Sequence, residues 1–304
     1  MDIVTVINFI RDVLVTFMTL LTMVSPAFGG SGVAYEAKNA DKLVMSMAVV
    51  SDIHVETNNP EAYENYADVL YGIKAGKDID AAAYLGDNVM NGQLAEDIFF
   101  YAGLRGINPA KNNLVVVGNH DQGNGEGDFA ELSENFLKFN KLFLGNKLDK
   151  AYYYRVINDC YVIVLASEDP NAQTFIMGTE QFNWLEGVLK EAKAANAPTI
   201  VLNHFPIRYL QGTYNGTQLA NLFKEYNVDL FLHGHIHNDL GEDNFYNWGG
   251  INCINLPRVT EITEYVAGDG VVLEVYENEI VVRGRDFIKG EWIDGLDFTY
   301  TITR

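Results

Sequence analysis

Six histidines occur in the 304 residues, and each lies in or beside a fragment whose residue types bind metal ions. The fragments are Asp52-Ile53-His54, Gly118-Asn119-His120-Asp121, Asn203-His204 and His233-Gly234-His235-Ile236-His237, with Gly86-Asp87-Asn88 between the first two. Carboxylate and amide oxygens combined with imidazole nitrogens suit Mn, Fe, Zn or Mg ions and not soft copper. Asp52, His54, Asp87, Asn119, His204, His235 and His237 are more donors than one ion needs. They serve two ions if one carboxylate bridges. Two ions about 3.5–4 Å apart hold a hydroxide between them and bind both oxygens of an in-line displacement. His120 is left over, beside Asp121. A histidine held by a carboxylate next to a metal pair is placed to protonate a leaving oxygen.

Each fragment also has an ordinary reading. Gly-Asp after a strand is usually a turn, and Gly-Asn-His-Asp alone is a turn with a helix cap. Five of them in fixed order, each closing an apolar run, favour the joint reading. The runs are Leu43–Val50, Ala81–Leu85, Leu114–Val117, Thr199–Leu202 and Leu230–Leu232, with Tyr161–Leu165 as a further strand. Near-continuous apolar segments of this length suit strands buried on both faces. Helices are expected over Pro60–Lys74, Gly92–Leu104, Phe129–Phe143, Glu180–Ala195 and Thr217–Tyr226. The pattern is α/β, with polar fragments at the carboxyl ends of successive strands, where open α/β sheets place their ligands. Beyond Asp239 the texture changes. Residues 241–250 read as loop, and Val271–Tyr276 with Ile280–Arg285 as a hairpin.

Three segments are expected: an apolar amino-terminal stretch over 1–38, a catalytic domain over 39–240, and a β-rich extension over 241–304 packed on the same domain. Within the first, Val13–Val24 is apolar and Ser25-Pro26-Ala27 offers small residues suited to cleavage. Signal peptide, anchor and amphipathic interfacial helix all stay open, so secretion or membrane association through residues 1–27 stands beside a cytoplasmic alternative. The 41 Asp and Glu against 21 Lys and Arg give a net charge of −20, which argues against nucleic-acid polymers as partners. A small phosphorylated substrate stays open, because bound divalent ions reverse the local field. Cys160 and Cys253 fit no disulfide or zinc spacing and read as buried thiols.

The ordered set D-x-H, G-D, G-N-H-D, H and G-H-x-H, from about Leu43 to His237, resembles the calcineurin-like metallophosphoesterases. Gln181–Glu186 resembles the helix between that family's third and fourth blocks. The resemblance implies a four-layer α/β/β/α sandwich of two mixed sheets. It implies a metal-dependent hydrolase of phosphomonoesters, phosphodiesters or pyrophosphates, with a hydroxide bridging two divalent or mixed-valence Mn, Fe or Zn ions as attacking group. It places Asp52, His54 and His237 on one ion and Asn119, His204 and His235 on the other, with Asp87 bridging. It makes His120 the acid or transition-state donor, oriented by Asp121. Purple acid phosphatases carry a Tyr three residues after the bridging Asp; here Met90 stands there, which argues against an iron–tyrosinate centre. The alternative is a catalytically inactive binding scaffold of the same fold, and the completeness of the ligand set disfavours it. His233 falls outside that set and reads as a packing residue that orients a neighbour. Arg208, Tyr209, Asn58, Asn59, Asn124 and Arg258 read as solvated loop residues or substrate contacts, and the Gly-rich loop 122–128 is expected to wall the pocket.

Overall fold

The structure is a computed structural model that describes residues 32–260 and 268–302. The apolar stretch Val13–Val24 and the small residues after it lie outside the described residues, so the readings of residues 1–27 do too. No helix among the described residues is long and apolar enough to cross a membrane.

In chain order the strands are β1 (Met45–Val50), β2 (Ala81–Tyr84), β3 (Asn112–Val115), β4 (Tyr153–Ile157), β5 (Cys160–Val164), β6 (Phe175–Ile176) and β7 (Thr199–Leu202). They continue with β8 (Leu210–Gln211), β9 (Leu230–His233), β10 (Phe245–Trp248), β11 (Ile251–Asn255), β12 (Asp269–Val275), β13 (Glu279–Asp286) and β14 (Glu291–Thr301). The α-helices are α1 (Pro60–Lys74), α2 (Leu94–Ile107), α3 (Phe129–Phe139), α4 (Thr179–Ala194) and α5 (Gly216–Glu225). One six-stranded sheet runs β14-β13-β12-β1-β2-β3 and the other β10-β11-β9-β7-β5-β4; β6 and β8 form a small pair. Both large sheets are mixed. β1–β3 pair parallel while β12–β14 pair antiparallel, and β5, β7, β9 and β11 are parallel with antiparallel β4 and β10 at the edges.

Side-chain alternation along the strands divides the interior in two. Val162, Val164, Ile200, Leu202, Leu230, Leu232 and Ile254 join one buried cluster with β1–β3 and with Tyr66, Leu70, Phe99 and Leu104 of α1 and α2. The residues between them, Ile163, Val201, Phe231 and Cys253, face a second cluster built with Leu185 and Leu189 of α4 and Leu219 and Phe223 of α5. A strand buried on both faces must be apolar at every position, which is why these segments read as unbroken runs. The result is two sheets face to face with helices outside, the expected four-layer architecture.

The caps explain several boundaries. Asn59 accepts from Ala62 N and opens α1 with Pro60 behind it, and Asp128 accepts from the Ala130 and Glu131 amides at the start of α3. Other boundaries differ from expectation. The pairing of the third strand begins two residues earlier, at Asn112, because an edge strand tolerates polar side chains. The helix expected over Phe129–Phe143 ends at Phe139 and continues as a wider π turn over Asn140–Leu144. The loop expected over 241–250 contains β10, joined to β11 by Gly249-Gly250 at φ 60° and 92°. The β4–β5 hairpin likewise turns on Asn158-Asp159, at φ 47° and 65°. Two-residue turns with both φ values positive match the twist of paired strands.

The strands after residue 241 enter both sheets, and β12 lies directly beside β1. On β13, Arg285 is buried with its guanidinium 4.0 Å from the Tyr35 ring and 4.8 Å from the Trp292 ring, and it donates to Val33 O. At the start of β12, burial and the neighbouring Asp286 push the Asp269 carboxyl up to about 7. A carboxyl raised on folding holds its proton longer in the native chain than in the unfolded one. Its effect on stability is therefore most favourable below the unfolded pKa near 4 and worsens as pH rises towards 7. Thermal unfolding of Asp269→Asn between pH 4 and 8 should show a flatter loss of Tm across that window than the wild type.

Candidate metal centre

Asp52 and His54 follow β1, Asp87 follows β2, and Asn119, His120 and Asp121 follow β3; His204 follows β7, and His235 and His237 follow β9. Three fragments come from one sheet and two from the other, all from the carboxyl ends of parallel strands. The structure brings all seven expected donors and His120 together. Asp52, His54, Asp87 and His237 form one group whose donor atoms lie within 4.8 Å of one another, and Asp87, His204 and His235 form a second. Asp87 is common to both.

The carboxylates divide their two oxygens between backbone and centre. Asp52 Oδ2 accepts from the His235 amide at 3.0 Å and from Ser51 Oγ at 2.6 Å. Its Oδ1 is thereby left 2.8 Å from His237 Nε2 and 3.8 Å from His54 Nε2. Asp87 Oδ1 accepts from the His120 amide at 2.8 Å. Its Oδ2 stands 3.3 Å from His204 Nε2 and 3.8 Å from His54 Nε2, between the two groups. Asn119 Nδ2 donates to Asn124 Oδ1, which turns Asn119 Oδ1 to 3.0 Å from His204 Nε2 and 3.1 Å from His235 Nδ1.

This arrangement is poorly satisfied by protein atoms alone. His204 Nδ1 donates to the Leu85 carbonyl, so its Nε2 aims at two acceptors, Asn119 Oδ1 and Asp87 Oδ2. The Nε2 atoms of His54 and His237 face each other at 3.3 Å, and the buried Nδ1 of His54 has no partner. Lone pairs converging in a dry site need positive charge among them. The proton affinities agree. Burial opposes charge on His204, yet Asp87 beside it lifts the ring to about 9. Burial likewise penalises the charged form of Asp52, but contact with His237 and His54 outweighs it and holds the carboxyl well below the usual range. Burial lowers His54 and His235 to about 4, leaving neutral imidazoles, the form that ligates metals. The donor types and their convergence fit divalent cations.

The backbone that permits this is unusual. Asp52, His54, Asp87, His235 and His237 all adopt left-handed φ, between 50° and 73°. For non-glycine residues that conformation is costly and gathers at functional sites. Two glycines are required by closeness. A Cβ on Gly118 would lie 2.3 Å from Asp87 N, and one on Gly234 would lie 1.9 Å from Ser51 Oγ and 2.2 Å from Asp52 Oδ2.

One expected role needs correction. Asp121 does not orient the His120 ring. Its carboxylate accepts from the amides of Gly118, Asn88 and Val89 and from Asn88 Nδ2, tying the β2 and β3 loops together. Burial and the nearby Asp87 push it up to about 7. The His120 ring is fixed instead by Nδ1 donating to the Met90 carbonyl at 2.6 Å. Spacing could not reveal that contact, because a backbone carbonyl has no side-chain signature. Asn124 gains a definite position behind Asn119, and the Gly-rich loop that carries it packs against the 167–174 loop through Gln122 and Gln173. His233 is buried and bonds Gly234 O and Tyr246 Oη, so it packs beside the centre without entering it. Arg258 pairs its backbone with Ser51, and Tyr209 sets its ring edge-on to His235 at 5.6 Å. Substituting Ala for Gly234 should force Asp52 or Ser51 aside. The variant should lose about 1–3 kcal/mol in chemical denaturation, as overpacked sites do, together with most bound metal.

A search of curated proteins finds no match. Among solved structures, a dimetal phosphatase from Danio rerio is similar at TM-score 0.59 and 14% identity, over 86% of this chain and all of that one. A purple acid phosphatase from yellow lupin is similar at TM-score 0.58 and 16% identity, over 84% of this chain and 53% of the lupin chain. At such identities the likeness concerns the fold. The model of the family described as calcineurin-like phosphoesterase matches residues 45–239, the span that begins with β1 and ends just past His237. The chain belongs to the calcineurin-like phosphoesterase family.

Proposed function

We propose that the protein hydrolyses the phosphoester or pyrophosphate bond of a small phosphorylated substrate, using two divalent ions. In this reading Asp52, His54 and His237 hold one ion, Asn119, His204 and His235 hold the other, and Asp87 spans both. The observation that carries it is the position of Asp87 Oδ2, shared by two groups of inward-facing donors. Bound divalent ions would neutralise charge on the phosphoryl oxygens and make water acidic enough to attack at neutral pH.

The chain's own residues supply the rest. Asp87 keeps one oxygen on the His120 amide, so the loop after β3 and the shared carboxylate move as a unit. His120 Nδ1 must carry a proton to serve the Met90 carbonyl, which leaves Nε2 for the substrate. Protonated there, Nε2 can hand its proton to the departing oxygen. The His120 ring sits edge-on to His54 with centroids 4.7 Å apart, so the donor adjoins the centre. Asp121 keeps the two loops in register, a positioning role. The acidic surface supports a small substrate over a nucleic-acid polymer. Among the ions, Mn, Fe and Zn suit the mixed oxygen and nitrogen donors. We also propose export or membrane attachment through residues 1–27; a mature chain that still begins at Met1 and stays soluble in its host would contradict it.

Replacing His120 with Ala should lower kcat about 10²–10⁴-fold on an alkyl phosphate, whose leaving oxygen needs a proton, while metal content stays near two per chain. Unchanged turnover would remove His120 from the reaction. Asp87→Asn should lose both ions together in elemental analysis; loss of only one would mean that Asp87 does not bridge. Chelation should abolish turnover, and adding back Mn²⁺, Fe²⁺ or Zn²⁺ should restore it. A fully metallated protein inert toward mono-, di- and pyrophosphate esters alike would overturn the proposal.

A further inference from the structure

A second polar cleft lies at the other end of β3 from the metal centre. It occupies about 280 Å³ where β3, the edge of one sheet, meets β4, the edge of the other, beside the π turn Asn140–Leu144. Arg105, Lys111 and Arg155 line it, with the amides of Asn108, Asn112 and Asn146. Tyr153 closes the seam behind it by bonding both the amide and the carbonyl of Val115. From Asn112 to Asn119 the chain advances seven residues, about 20 Å at the rise of a strand. The cleft is therefore separate from the candidate metal centre.

Its charge runs against the rest of the molecule. The chain carries 41 acidic residues and 21 basic ones, yet no Asp or Glu among the described residues lines this cleft. Lys111 is matched by Asp80 at 3.0 Å. The two arginines have no carboxylate partner among the described residues. Arg105 donates to the Phe143 carbonyl at 3.1 Å, and Arg155 to the Tyr154 carbonyl at 3.1 Å and Asn146 Oδ1 at 3.3 Å. Neutral acceptors thus hold both guanidiniums in place without cancelling their charge. The Arg155 guanidinium also sits 5.2 Å from the centre of the Tyr153 ring, which further restricts it. The same bias runs along the chain, since residues 138–155 contain five Lys or Arg and one Asp.

We propose that this cleft binds a small phosphorylated anion. Guanidiniums held at fixed positions present paired N–H donors that match phosphate oxygens, and the surrounding amides supply further hydrogen bonds. A cleft of about 280 Å³ has room for more than one water, enough for a bare phosphate and for a small organic phosphate. Two sources share this chemistry, free inorganic phosphate and a small organophosphate.

The test is calorimetric titration of the metal-loaded protein with inorganic phosphate and, separately, with adenosine 5′-monophosphate. The wild type should bind one of them at a class of site that weakens at least several-fold between 50 and 300 mM salt. In the double variant Arg105→Gln/Arg155→Gln that class should vanish while turnover on an aryl phosphate stays within about twofold, so the result is independent of the catalytic proposal. The anion that shows the lost class identifies the source. A second variant guards against misfolding. Asn108→Asp changes only charge at the exposed rim, in a left-handed position that Asp tolerates, and should weaken the same class. A salt-sensitive class persisting unchanged in both variants, or its absence from the wild type with both anions, would overturn the proposal.

Discussion

The constraint on which the structure turns is the gathering of buried carboxylate and imidazole lone pairs with too little positive charge among them. Asp52 and Asp87 are both fully enclosed, and His54 and His204 beside them are buried as well. Unpaired, such a cluster would open or take up protons. The fold resists opening by giving one oxygen of each carboxylate to a backbone amide from a different loop, His235 for Asp52 and His120 for Asp87. Each of these bonds links two motif fragments. The fragments are consequently positioned by one another as much as by the strands beneath them.

The strands contribute direction. Parallel strands end on the same side, so five short loops from two sheets reach one place, and strands buried on both faces leave those ends little freedom to shift. Local conformation supplies the rest of the convergence. Left-handed backbone at five of the donor residues turns their side chains inward after β1, β2 and β9, and Gly118 and Gly234 allow neighbouring loops to approach within a distance that any side chain would prevent. Strain and close packing at these positions are offset by the large buried interior below, where β1, β2, β7 and β9 are inaccessible along their whole length.

The same economy of charge shapes the surface. A chain with a net charge of −20 repels anions at long range, so wherever it accepts one it needs local positive charge that its own acids do not cancel. At the metal centre the cations would come from solution. At the cleft between β3 and β4 the chain provides its own, in Arg105 and Arg155, and keeps carboxylates away from them.

The sequence by itself determined the kind of fold and which residues could serve as donors. Unbroken apolar runs such as Ile200–Leu202 suit strands covered on both sides, and a D-x-H or G-H-x-H fragment at the end of such a run carries its chemistry in its side chains. Helix boundaries were legible wherever a cap announced them, as Asn59-Pro60 does for α1. Less visible were elements whose signal lies in partners distant along the chain. β4 and β10 end in hairpin turns and carry no donor fragment, and β14 is held by pairing with β13 more than by its own mixed pattern. Tertiary structure alone decided which backbone group fixes which side chain. The Met90 carbonyl holds His120, Asn124 stands behind Asn119, and Asp121 ties two loops instead of the ring beside it. The first and last of these contacts join residues from different loops through backbone atoms common to every residue type, so no spacing in one dimension records them.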